Sequence, residues 1–127
     1  MKTIERLPEA ELEVMLTLWH NTPPLTVSEI TKLLAEAHSW KTATVHVLLE
    51  RLGERGFVTC DKSGFKHLFS PRITEEEYRR GEEKNLIKRF FGGSAKNMIA
   101  SLLNADGLTD EDLEELSAML KQRKGGK

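Results

Sequence analysis

The residues best suited to chemistry in this chain are the hydroxyl, ammonium, imidazole and small apolar side chains between positions 41 and 51. Such groups can read DNA, because hydroxyls and ammonium groups reach phosphates or base acceptors and small apolar groups lie against the thymine methyl. Apolar residues at i, i+3, i+4 and i+7 turn one side of this stretch inward as a helix, namely Val45, Leu48, Leu49 and Leu52. The other side carries the candidate DNA-binding residues Lys41, Thr42, Ala43, Thr44, His46, Val47 and Arg51.

A structural interpretation of the same stretch stays open. Lys41, Thr42 and Thr44 also suit helix capping and solvation. Glu50 lies on the outer side, where phosphate would repel it unless it pairs with a neighbouring cation. Trp40, at the entry to this helix, is predicted to be a packing anchor rather than a platform on which bases stack.

Two further cations, Lys62 and Lys66, are candidate contacts to the phosphate backbone. They lie where apolar and polar residues alternate over residues 57–61 and 65–69 on either side of a short turn, which predicts a β-hairpin. Over residues 39–72, six Lys and Arg residues outnumber three Asp and Glu residues, giving a local charge of +3 in a chain of net charge −1. We therefore expect a local positive patch, although a surface lysine often serves only solvation.

Three helices are predicted before this hairpin. Apolar residues at helical spacing follow Pro8 and predict the first helix, with Leu12, Met15, Leu16 and Trp19 facing inward. A capping box at Thr26 and Glu29 opens a second helix that is predicted to run to about His38. Its inward residues are predicted to be Ile30, Leu33, Leu34 and Ala37. Three helices followed by a hairpin are typical of a winged helix-turn-helix, whose third helix commonly enters the DNA major groove.

The second half of the chain is predicted to form three amphipathic helices, with starts at the capping boxes and caps of Thr74, Ser94 and Thr109. Composition changes near Pro71. We therefore predict a winged-helix DNA-binding domain over residues 1–71 and a three-helix dimerisation region over residues 72–127. The predicted fold class is mainly α with a small β-hairpin wing.

These three helices have no obvious core of their own, so their apolar stripe is expected to face a partner. The economical partner is a second copy of the chain, because a two-fold axis lets two recognition helices read two half-sites. The alternative is that the helices fold back on the first domain. The predicted dimer-interface residues are Leu86, Phe90, Phe91, Met98, Ile99, Leu102, Leu103, Leu113, Leu116 and Leu120.

Other classes of chemistry are excluded by what the sequence lacks. No motif places a nucleophile beside a base, so we predict that the chain is not an enzyme. Its one cysteine and four histidines do not have metal-ligand spacing, so no metal and no other cofactor is expected. Cys60 could sense oxidation, but a small buried apolar role explains it more simply. No apolar run suits a membrane span or a signal peptide, and the protein is expected to stay in the cytoplasm.

Several short motifs occur in order along the chain: Leu12-Glu-Val-Met-Leu-Thr-Leu-Trp19, Val27-Ser-Glu-Ile30, Thr44-Val-His-Val-Leu-Leu-Glu-Arg-Leu52, Phe69-Ser-Pro71, Glu77-Tyr78 and Phe90-Phe-Gly-Gly93. With these motifs the chain resembles the penicillinase-repressor family, the BlaI/MecI/CopY group, from about residue 7 to residue 120. The resemblance implies a homodimeric winged-helix repressor that binds dyad operators in double-stranded DNA. In antibiotic-responsive members, a membrane sensor-protease system triggers cleavage in the C-terminal region, which weakens the dimer.

Two positions limit what the resemblance transfers. The bond cleaved in the family, an Asn-Phe pair in its best-known members, aligns with Ser101-Leu102, which is therefore the candidate cleavage site here. The C-terminal Cys-x-Cys motifs of the copper-responsive branch are absent from residues 121–127. The resulting hypothesis is a dimeric repressor, with antibiotic-resistance genes as candidate targets. The alternative is a winged-helix module that docks a protein and does not bind DNA at physiological salt, which the near-neutral net charge favours.

Overall fold

Three helices, a β-hairpin and three further helices follow one another in the computed structural model, which describes residues 4–125. The elements are α1 (Glu9–Trp19), α2 (Val27–Leu34), α3 (Thr42–Glu54), β1 (Val58–Asp61), β2 (Leu68–Pro71), α4 (Glu75–Phe91), α5 (Ala95–Leu103) and α6 (Asp110–Gly125). The predicted fold class, mainly α with a small hairpin wing, is confirmed.

Side-chain caps begin the helices where the sequence predicts them. At the start of α2, the Thr26 hydroxyl accepts a hydrogen bond from the Glu29 N–H (3.1 Å) while the Glu29 carboxylate accepts one from the Thr26 N–H (2.8 Å). These bonds satisfy N–H groups that the first turn of a helix leaves without partners. The same function is served at α4, α5 and α6 by Thr74 with Glu77, by Ser94, and by Thr109 with Asp112.

The core of the first half lies between α1, α2, α3 and the hairpin. All four residues predicted to face inward from α3 are buried, which confirms the predicted orientation of that helix. The chain leaves α3 through Gly56, whose φ of +84° is left-handed and therefore suits glycine. The buried apolar residues are Leu7, Val14, Met15, Leu18, Leu25, Ile30, Leu34, Val45, Leu48, Leu49, Leu52, Phe57, Val58, Phe69 and Tyr78.

The buried face of α1 is displaced by one residue from the prediction. Its buried residues are Glu11, Val14, Met15 and Leu18, whereas Leu12, Leu16 and Trp19 are only half-buried. Glu11 can occupy a core position because Arg55 Nε donates a hydrogen bond to its carboxylate at 2.8 Å. Arg55 also reaches Glu5 through Nη1 at 2.7 Å. A charged residue is thus part of the apolar face, and a search for apolar spacing alone misses it.

The second helix is shorter than predicted. It ends at Leu34 rather than near His38, and residues 35–37 form a turn in which the Ala37 N–H donates to the Leu34 carbonyl (3.1 Å). Two residues predicted to face inward are exposed: Leu33 lies within α2 but outside its buried face, and Ala37 lies in the turn after the helix. The chain turns at residues 35–37 before it enters α3. Ala37 therefore has helical spacing in the sequence but lies in a turn in the structure.

The hairpin pairs β1 antiparallel to β2, with Cys60 opposite Phe69. The second strand begins at Leu68 rather than at Phe65, because residues 62–67 form a loop. Leu25 extends this small sheet on the other side of β2: its N–H donates to the Phe69 carbonyl (3.0 Å), and the Phe69 N–H donates back (2.8 Å). The sequence does not predict this third, single-residue strand.

The chain forms two compact units that divide between Glu83 and Lys84, inside α4. The first unit extends past Pro71 because Tyr78 belongs to its core. The Tyr78 hydroxyl accepts a hydrogen bond from the Leu7 N–H at 2.9 Å, and its ring packs against Trp19 and Phe57, with centroids 5.7 and 5.9 Å away. Burial raises the pKa of this hydroxyl.

The assignment of DNA binding to residues 1–71 and dimerisation to residues 72–127 stays a prediction, and its terminal residues 1–3 and 126–127 lie outside the described chain.

We expect Tyr78→Phe to lower the free energy of unfolding by about 1–3 kcal/mol, because the buried Leu7 N–H loses its acceptor. Tyr78→Leu should cost more, since it also removes the aromatic contacts. Urea titration of the wild type and both variants measures the differences. Equal stability of wild type and Tyr78→Phe would show that the hydroxyl does not support the folded state.

Candidate nucleic-acid interface

The outer face of α3 is free of the protein's own packing. Its seven candidate residues are all exposed: Lys41, Thr42, Ala43, Thr44, His46, Val47 and Arg51. Lys41 is the residue before the first helical turn, yet its side chain makes no capping hydrogen bond. Capping therefore does not account for Lys41, whereas solvation fits its exposure, and its role in DNA binding stays a prediction.

Two residues on this face, His46 and Glu50, are neighbours. His46 Nδ1 lies 3.9 Å from Glu50 Oε1, one helical turn away, and both side chains are about half exposed. This spacing places the imidazole beside the carboxylate, so His46 is the neighbouring group with which Glu50 can pair.

The entry to α3 is fixed by an aromatic stack. The His38 and Trp40 rings lie 4.2 Å apart between centroids with an angle of 15° between their planes, and His38 Nε2 lies 3.4 Å from Glu13 Oε1. Trp40 also packs against the core as a partly buried residue. The prediction of a packing anchor is thus in accord with its contacts, and the stack positions the first turn of α3.

The hairpin lies beside α3 and bounds a groove with it. The groove has a volume of about 700 Å³, and its walls include His46 and Glu50 from α3 and Cys60, Lys62 and His67 from the hairpin. The half-buried Cys60 contributes one wall and also packs against the core. Because Lys62 and His46 line one groove, the exposed face of α3 and the hairpin form a continuous surface.

The two hairpin lysines are both exposed but differ in their surroundings. Lys66 lies close enough to Glu29 to contribute to the lowered pKa of that carboxyl, which results mainly from hydrogen bonds with Thr26 and to a smaller extent from Lys66 and Lys32. Lys62 lies beside α3 in the groove. Lys62 therefore lies near the exposed face of α3, and Lys66 lies near the beginning of α2.

Phe65 lies at the end of the hairpin and is fully exposed. The alternation of apolar and polar residues predicts that it lies in a strand, whereas the structure places it in the loop before β2. The preceding Gly64 and the run of turn residues around it were the available signal that the strand begins later.

The second unit exposes most of its apolar side chains. None of the residues of α5 and α6 in the described part of the chain is buried. Phe91 and Met98 are half-buried, and the other predicted dimer-interface residues, Leu86, Phe90, Ile99, Leu102, Leu103, Leu113, Leu116 and Leu120, are exposed. Leu108 and Met119 are exposed as well. The candidate cleavage residues Ser101 and Leu102 are adjacent and exposed within α5.

Residues 4–125 contain no group of three or more His, Cys, Asp or Glu side chains that could hold a metal ion. In the same range, no helix has the length and apolar character needed to cross a membrane.

Comparison with known proteins identifies the family. The family model described as penicillinase repressor matches residues 7–122. The penicillinase repressor of Bacillus licheniformis is 30% identical over 127 residues, which cover all of this chain and 98% of the relative. The methicillin resistance regulatory protein MecI of Staphylococcus aureus (strain N315) is 23% identical over 122 residues, covering 96% of this chain and 98% of the relative.

Two solved structures resemble the first part of the fold. The DNA-binding domain of the repressor BlaI aligns with a TM-score of 0.52 and 32% identity, covering 61% of this chain and 94% of that domain. The monomeric form of Bacillus licheniformis BlaI in complex with the blaP half-operator aligns with a TM-score of 0.51, with the same identity and coverage. The relatives are transcriptional repressors, which confirms the prediction that the chain is not an enzyme. The chain belongs to the penicillinase repressor family.

Proposed function

We propose that the protein is a homodimeric repressor that binds dyad operator DNA and blocks transcription sterically. The observation that carries this proposal is the exposed outer face of α3, whose inner face is fully occupied by the core. Its hydroxyl, ammonium and small apolar side chains suit the major groove. The similar repressor BlaI was solved in complex with a half-operator, which supports DNA binding by this chain. Such a protein would act in the cytoplasm, on DNA there.

The apolar surface of the second unit supports the dimer. Leucine, isoleucine and phenylalanine side chains on three helices are exposed to water. Burying them against a partner would therefore release hydrophobic free energy. A second copy supplies a matching surface by symmetry, and two linked DNA-binding units gain affinity together. We therefore assign these residues to the interface between two copies of the chain.

Release from DNA would follow from loss of that interface. A cut between Ser101 and Leu102 would separate Leu102, Leu103 and all of α6 from the rest of the chain. The membrane sensor-protease system found with antibiotic-responsive family members is the proposed signalling partner, and resistance genes are the proposed targets.

The function is tested by titrating the purified protein against DNA from upstream of its own gene and against a scrambled duplex of equal length, at two salt concentrations. We expect tighter binding to the upstream DNA and a marked loss of affinity at the higher salt, because bound cations release counterions from the phosphates. Equally weak binding to both duplexes, with recovery of a protein partner, would favour the protein-docking alternative.

We expect Lys62→Ala to weaken binding to all duplexes alike and to reduce the slope of log K against log salt by roughly 0.9, the loss of one phosphate contact. Lys84→Ala on α4 removes the same charge outside the proposed interface and should leave the slope unchanged. The measurement is fluorescence anisotropy over a series of salt concentrations. An unchanged slope for Lys62→Ala would remove the hairpin from the DNA interface.

We expect Leu102→Asp to produce a monomer whose operator affinity falls by about a hundredfold or more, because a buried unpaired carboxylate opposes dimer formation and the gain from linked binding is lost. Asn97→Asp introduces the same charge on the opposite face of α5 and should remain dimeric. Sedimentation equilibrium gives the masses. A dimer of Leu102→Asp with wild-type affinity would place the interface elsewhere.

A further inference from the structure

Residues 4–7, the N-terminal segment, pack along α4. The Leu7 N–H donates a hydrogen bond to the buried Tyr78 hydroxyl at 2.9 Å. One turn further along α4, Arg6 Nε lies 3.5 Å from Glu82 Oε1. The segment therefore contacts this helix at two successive turns rather than at a single point.

The segment begins beside Gly81, in the same part of α4. A methyl group at Gly81 would lie 4.0 Å from Ile4 Cβ, which is an ordinary van der Waals distance. Ile4 is half-buried and packs against the core of the first unit. This side chain thus lies both beside α4 and against the core, so it helps to hold residues 78–82 to the first unit.

The same segment is joined to the end of α3. Glu5 Oε2 accepts a hydrogen bond from Arg55 Nη1 at 2.7 Å, and Arg55 is the residue that follows the last turn of α3. The Nε of the same guanidinium donates to the buried Glu11 carboxylate at 2.8 Å. The N-terminal segment therefore connects the helix proposed to read DNA with α4.

The beginning of α4 is held separately, by the end of α1. Trp19 Nε1 donates a hydrogen bond to the Ile73 carbonyl at 2.8 Å, and His20 Nε2 lies 2.9 Å from Glu75 Oε2. At 1.5 Å per residue, Glu75 and Glu82 lie about 10 Å apart along the helix. One contact fixes the position of a helix, whereas two separated contacts also fix its direction.

The direction of α4 matters because this helix continues past the boundary between the two compact units, which divides it between Glu83 and Lys84. Phe91, its last residue, is about 24 Å from Glu75 along the helix. A tilt of about 20° at Glu75 would therefore move Phe91 by roughly 8 Å. That displacement exceeds the rise of two base pairs, each about 3.4 Å.

We propose that the N-terminal segment fixes the direction in which α4 leaves the first unit and thereby makes the dimer selective for one spacing between operator half-sites. Ile4 and Arg6 are positioning residues, since they act through α4. The gain from linking two binding units is greatest when the link matches the distance between the sites, and half-site spacing follows from the geometry of the dimer. The inference rests on the proposed dimeric DNA binding and adds a determinant of operator spacing to it.

The test uses the full chain and three kinds of duplex: an operator selected from random sequences by the wild type, the same operator with one base pair inserted or removed at its centre, and a single half-site. The variant Ile4→Ser with Arg6→Ser removes the apolar contact and the ion pair but keeps the Leu7 hydrogen bond. We expect the wild type to prefer the selected spacing about a hundredfold and the serine variant only about tenfold. Half-site affinity should be the same for both proteins.

The control variant is Ile4→Val with Arg6→Lys, which keeps an apolar and a cationic group at these positions and should retain the wild-type spacing preference. Sedimentation equilibrium should give the same dimer mass for all three proteins. A wild-type spacing preference of the serine variant, or an equal loss of affinity on the single half-site, would overturn the role of the N-terminal segment alone. Failure of the wild type to bind any duplex would instead overturn the proposed function.

Discussion

The burial of one face of α3 is the constraint on which the rest of the first unit depends. Val45, Leu48, Leu49 and Leu52 fill the core from this helix. Once they are fixed inside, the 3.6-residue repeat determines which side chains face water. The helix therefore cannot rotate without exposing leucine and burying threonine, lysine and arginine. Packing inside the protein thus sets the chemical surface that the proposed operator would meet outside.

Local interactions were predictable from the sequence and distant ones were not. The caps at Thr26, Thr74, Ser94 and Thr109 join groups no more than three residues apart, so their pattern is visible in the sequence. The exposed face of α3 was predictable for a similar reason, because it follows from the apolar spacing of the opposite face. The role of its residues in binding stays a prediction.

What the sequence did not predict depends on contacts between distant residues. The bridge from Leu25 to Phe69 joins residues 44 positions apart, as does the pair of Glu11 with Arg55. Neither pairing follows from a local pattern. Phe65 was misplaced because its alternation with polar neighbours fits a strand, whereas the chain bends there and Asp61 accepts two hydrogen bonds from Ser63. Such local side-chain bonds offer the backbone an alternative to strand pairing.

The Glu11–Arg55 pair has a consequence for how this sequence can change over time. The Glu11 side chain is only 3% exposed, and Arg55 is the cation that compensates its charge. Replacing Arg55 first leaves the buried Glu11 carboxylate without its cation, whereas replacing Glu11 first leaves Arg55 paired with Glu5. In related sequences, an acidic residue at position 11 is therefore expected to occur together with a cation at position 55. In this way a single buried carboxylate links the evolution of the first helix to that of the residue that follows α3.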